Sequence, residues 1–217
     1  MGCLMPVALV VSWAATGALA GAFVRIWTRR QLEGDRAGLL TAQPTAPLLT
    51  AILFGVLAWR LGWTFDLLAY SFLAAIGVSL GIIDLIEQRL PTKLVLPGFA
   101  VLGAAFTALA IVNSAGMDLL RAAAGSMAVA GFYLVLALAS GGGLGAGDVK
   151  LGGLLGLALG WLSWSAVLAG VLLGWCFGGV AWLILRMTGL RPRTYLLPAG
   201  PPLLLGAFVV IGLMPSA

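Results

Sequence analysis

The chain has 217 residues, 62% of them hydrophobic and 9% charged, with a mean hydropathy of +1.12. A soluble domain carries about a quarter charged residues, which excludes a water-soluble globule and leaves an integral membrane protein, one domain over residues 1–217. The net charge of +5 and the pI near 9.9 come without a basic stretch interleaved with aromatics, so they point to oriented loops in a lipid bilayer, with no nucleic-acid partner.

Apolar segments fall at about residues 4–24, 47–62, 66–83, 94–113, 118–139, 150–164, 165–185 and 197–214. The expected fold is therefore all-α, a polytopic transmembrane helical bundle of about eight spans, one of them short. The first span has no basic residue before it, and Arg25, Arg29 and Arg30 follow it. It reads as an anchor with the N-terminus outside rather than a cleaved signal peptide. A short cytoplasmic loop follows over residues 25–46. From Lys150 to Leu185 an unbroken helix would run about 54 Å, too long for one crossing of a ~30 Å core. A hairpin turning near Trp161 to Trp164 resolves this.

Charge supports the count. With eight spans, ten of the twelve Lys and Arg fall in cytoplasmic loops: Arg25, Arg29, Arg30, Arg36, Arg89, Lys93, Lys150, Arg186, Arg191 and Arg193. Only Arg60 and Arg121 fall outside, a clear positive-inside bias. Gly17 and Gly21, then Gly152, Gly156 and Gly160, then Gly170, Gly174 and Gly178 recur at spacing four. Such stripes let helices approach closely in lipid.

The residue inventory limits the chemistry. The absence of histidine excludes His-based zinc sites and Ser-His-Asp triads. Cys3 and Cys176 form neither a disulfide framework nor a metal motif, and no cofactor is expected. Among the acids, Glu33, Asp35 and Glu87 read as solvated loop residues, and Asp66 and Asp118 as caps at helix starts. Asp84 differs, because it ends the apolar stretch Ala74–Ile83 and is followed by Leu85 and Ile86. If the helix stops there, the dipole opposes the carboxylate; if it continues toward Pro91, the carboxylate sits at the membrane boundary. Facing headgroup water is its bland alternative. Asp148 lies in Gly141-Gly142-Gly143-Leu144-Gly145-Ala146-Gly147-Asp148-Val149-Lys150, where the bland alternative is an N-cap. A phosphate loop does not fit, since no Gly-Lys-Ser/Thr follows. Two aspartates brought together cannot easily both ionise, so they share a proton; one then takes a proton from water while the other polarises a peptide carbonyl.

The element Gly145-x-Gly147-Asp148 resembles the Gly-x-Gly-Asp signature of membrane aspartyl proteases. The wider match is to the prepilin (type IV leader) peptidases. Their Gly-x-Gly-Asp-x-Lys-Leu is similar to Gly145–Leu151 here. Their aspartate followed by a Leu-Pro pair is similar to Asp84 with Leu90 and Pro91, and their Pro-x-Gly-Pro resembles Pro198-Ala199-Gly200-Pro201. These motifs span residues 65–214, the expected peptidase core. The resemblance implies a catalytic pair, Asp84 and Asp148, in a multi-pass protein of the inner membrane with its site facing the cytoplasm. The implied substrate is a prepilin or pseudopilin of a type IV pilus or secretion system, with a basic leader ahead of an apolar helix. Lys150 would hold a substrate carbonyl, bias Asp148, or only reach the headgroups. The departure is in the first loop. Bifunctional members carry two Cys-x-x-Cys zinc pairs there, whereas Arg25 to Pro47 holds no cysteine, so peptidase activity without a zinc site or methyl transfer is expected. A presenilin-type protease fits less well, because Ile83 stands where those enzymes have tyrosine. A cation-coupled transporter or assembly scaffold is the non-enzymatic alternative, although no internal repeat supports it.

Overall fold

The computed structural model describes residues 4–31, 45–140, 144–189 and 198–213, with side chains from residue 7 to 28 in the first of these stretches. Every regular element among them is helical: α1 (Leu4–Gln31), α2 (Thr45–Leu61), α3 (Phe65–Glu87), α4 (Thr92–Asn113), α5 (Gly116–Ala139), α6 (Ala146–Leu162), α7 (Trp164–Thr188) and α8 (Gly200–Leu213). The eight helices match the eight expected segments. Five of them (α1, α3, α4, α5 and α7) are long and apolar enough to cross a membrane. Where one short span was expected, three helices are short: α2 and α6 have 17 residues and α8 has 14. Helix α1 continues to Gln31, past the expected end of the span at 24. The loop expected over 25–46 is thus partly helix, and residues 32–44, with Glu33, Asp35 and Arg36, lie outside the described residues. Gly141–Gly143, Arg191 and Arg193 also lie outside them, as do the side chains of Arg29 and Arg30.

Helix α6 is the axis of the bundle. Residues 151–160 are buried on every side, as expected of a helix apolar all round. Its glycine stripe makes this possible. A Cβ on Gly156 would come within 2.5 Å of the Gly125 carbonyl oxygen in α5, and one on Gly160 within 2.9 Å of Ala122 Cα. The other stripes act alike, with Gly17 and Gly21 against α2 and Gly170 and Gly174 against Leu159 and Leu203. In lipid, where apolar surface has little reason to leave its solvent, such close packing is a main source of association. Helix α1 joins through the hydrogen bonds of Trp13 Nε1 to Ser71 Oγ (2.9 Å) and between the Thr28 and Ser79 hydroxyls (2.8 Å).

The expected break after α6 is one residue long. Ser163 is extended, and its hydroxyl accepts the Ala166 N–H, which caps α7. The last carbonyls of α6 find their donor in α5: Arg121 Nε donates to Gly160 O at 2.7 Å, and Nη2 donates to Trp161 O and Leu162 O at 2.7 and 3.0 Å. A cation thus closes the negative end of a buried helix. Asp118, expected as an N-cap, instead pairs with Arg121 at 2.8 Å. Asp66 likewise lies inside the first turn of α3 rather than capping it, because Thr64 holds the cap position and the carboxylate accepts Trp161 Nε1 at 2.9 Å. An indole from a distant helix takes the one carboxylate, and an arginine one turn along the same helix takes the other. Arg121→Ala is expected to lower stability by about 2–4 kcal/mol, since three partly buried carbonyls lose a charged donor. An unchanged unfolding midpoint in detergent would rule this cap out.

Candidate active site

Two helices ending at the same end of the bundle carry the acids. Helix α3 continues past Asp84 to Glu87 and stops at Gln88, whose φ of 52° and N–H bond to Asp84 O (2.9 Å) close the last turn. Asp84 therefore sits in the final turn, where the α3 dipole disfavours its charge, and it is only 4% exposed. It does not face headgroup water. Its compensation comes from the start of α8, where Gly200 donates its N–H to Asp84 Oδ2 at 2.8 Å. The local sequence makes that donor unique. A helix start has four orphan N–H groups, but Pro201 and Pro202 carry none, and Leu203 donates to Ala199 O. The positive end of α8 thus presents one amide, and it points at Asp84. Glycine fits here without displacement, because a Cβ would lie 2.7 Å from the carboxylate oxygen and force Asp84 or α8 to shift.

Asp148 lies in the first turn of α6. Gly145, not Asp148, is the N-cap residue, and its N–H donates back to Asp148 Oδ2 at 3.0 Å. This is one half of a capping box. The carboxylate is half-buried and acts electrostatically on Asp84.

The expected motifs meet at this end. A Cβ on Gly147 would fall 2.8 Å from Leu90 Cβ, so the glycine element packs directly on the Leu-Pro pair. Pro91 caps α4 with extended backbone. Pro198 is buried beside Ala199 at the entry to α8, and Pro201 fixes its first turn. Lys150 Nζ donates to Thr92 Oγ1 at 2.7 Å, tying the start of α6 to the start of α4. Glu87, expected to be solvated, has a side chain only 7% exposed and paired with Arg89, because it lies inside the last turn of α3 rather than in the loop. Pro202 went unnoticed as part of the third motif, although the double proline is visible in the sequence. Thr92 carried no signal of its own.

An all-helical membrane bundle with two carboxylates converging at one end defines a polytopic membrane protein with an acid pair. The chain belongs to the Type IV leader peptidase family, which it matches over residues 67–184. It is 32% identical over 174 residues to the Prepilin leader peptidase/N-methyltransferase of Neisseria gonorrhoeae, covering 77% of this chain and 56% of that protein. Proteins of the same name from Myxococcus xanthus and Bacillus subtilis are 31% and 29% identical; each match covers 76% of this chain, and 49% and 64% of those proteins. The chain thus spans about half to two thirds of these relatives. No solved structure gives a significant match.

Proposed function

We propose that the chain is an aspartyl endopeptidase that removes the basic leader of a type IV prepilin or pseudopilin at the cytoplasmic face of the inner membrane. The observation that carries this reading is the convergence of Asp84, Asp148 and the Gly200 amide at one end of the bundle. Membership of the family supports it, and the bias of ten basic residues against two supports the cytoplasmic side. One carboxylate takes a proton from a water while the water oxygen bonds to the scissile carbonyl carbon. The other carboxyl, protonated, donates to the carbonyl oxygen. Collapse breaks the C–N bond, the amine leaves with a proton, and the dyad returns to its singly protonated state. The products are a leader with a new carboxylate and an apolar helix with a new amine.

The relatives' name also includes N-methyltransferase. This chain has no cysteine between Arg25 and Pro47 to build a thiolate zinc site, so peptidase activity alone is proposed. Co-expression with candidate prepilins from the same genome is expected to move the pilin to the mobility of the leaderless form. No shift with any candidate, from membrane-inserted protein, would sink the reading.

A further inference from the structure

Tyr133 is 2% exposed, and its hydroxyl has no hydrogen-bond partner among the described residues. Buried hydroxyls nearly always find one. The Trp175 indole lies beside it without closing a bond of acceptable geometry. An indole only donates, so its approach leaves the phenol proton without an acceptor in any case. What Tyr133 lacks is a carbonyl or a carboxylate.

Its location indicates where such a group would come from. The ring lies on Gly152 of α6, where a Cβ would come within 2.5 Å of Cδ2. Gly152 is one helical turn beyond Asp148 on the same face, and the Asp148 charge acts on the phenol. The ring also lines a groove of about 280 Å³ between α5, α7 and α8. Leu144, just before the Gly145 element, lines this groove together with Ala199 and Pro202 of the third motif and the half-exposed Trp175 and Trp182. Two of these residues adjoin the site, Leu144 next to Gly145 and Ala199 next to Gly200, and the polar side-chain groups of the lining are the Tyr133 hydroxyl and the two indoles.

A peptide must be unwound to be cut, and each carbonyl released from a helix in a water-poor site needs a new donor. The dyad serves only the scissile one. We propose that the groove seats the unwound start of the substrate's apolar helix, and that the Tyr133 hydroxyl donates to a main-chain carbonyl of that segment. This rests on the peptidase reading above. An acyl chain would fill the apolar volume but leave the phenol unpaired.

Tyr133→Phe keeps the ring on Gly152 and removes only the oxygen. Prepilin cleavage by this variant is expected to lose about tenfold in kcat/KM with an unaltered pH profile. Its unfolding midpoint in detergent should stay level or rise, because an unpaired buried group is gone. Wild-type kcat/KM, or activity and midpoint falling together, overturns the proposal; a displaced pH profile overturns it in favour of a role through Asp148. A second arm needs no turnover. In the Asp84→Asn protein, p-benzoylphenylalanine replacing Trp182 is expected to photocapture a synthetic prepilin N-terminal peptide, about tenfold more weakly when Tyr133→Phe is added. Capture of lipid alone, or capture indifferent to Tyr133→Phe, overturns it. If wild-type protein cleaves no prepilin, the peptidase reading fails by itself, and this arm still decides whether the groove binds the peptide.

Discussion

Asp84→Asn is expected to reduce leader cleavage by about a thousandfold or more, the usual scale for removing a general acid or base. The fold should survive. Asparagine has the same shape and keeps an oxygen to accept the Gly200 N–H, now held at 2.8 Å by Oδ2. What it loses is the capacity to exchange a proton at that atom. Asp148→Asn should do the same, because its side-chain oxygen still accepts the Gly145 N–H. The two substitutions together should be no worse than either alone, since a dyad acts as a unit. Initial rates on a prepilin peptide, with membrane insertion and unfolding midpoint measured in parallel, check all three variants. A single mutant that cleaves at the wild-type rate would break the pairing.

Gly200→Ala should act on the same atoms by a different route. The new Cβ would stand 2.7 Å from Asp84 Oδ2, so the carboxylate or α8 has to shift and the amide bond between them is strained. Overpacking of this kind costs about 1–3 kcal/mol, and a buried carboxylate deprived of its donor adds a similar amount. The expected outcome is a stability loss of about 2–4 kcal/mol together with a large loss of cleavage. Gly103→Ala is the matched control: it lies within α4 with nothing inside 4 Å of the added atom, so the same chemical change should be neutral or stabilising by up to about 1 kcal/mol. Equal midpoints for the two variants would show that the Gly200 contact is not limiting.

Much of this arrangement is legible in the sequence. Hydropathy alone places the helices, and the break near Ser163 follows from length, because no single helix can run from Lys150 to Leu185 within a bilayer. The stripe through Gly156 announces a close helix crossing, although not that Gly125 is its partner. What fails is the partner of each polar group. Asp66 and Asp118 stand where caps stand, but Trp161 and Arg121 claim them from 95 and 3 residues away. Glu87 reads as loop because its charge suggests an end, while the helix continues one turn past Asp84. The third motif is visible as a string, yet only the fold brings Gly200 to Asp84 across 116 residues. Tyr133 gave no signal at all, since a tyrosine in an apolar run is ordinary until its hydroxyl is found without a partner among the described residues.

The tether on Asp84 has a consequence for how the protein can change. Its donor belongs to the main chain, so no exchange of the residue at position 200 for a similar one can weaken it by degrees. Every residue other than glycine at position 200 adds an atom inside the 2.7 Å gap, and proline also deletes the hydrogen. Bonds between side chains can drift through graded intermediates, from aspartate to asparagine to serine. On its donor side this one offers neighbouring genotypes only presence or displacement, which makes position 200 a cliff in the mutational landscape rather than a slope.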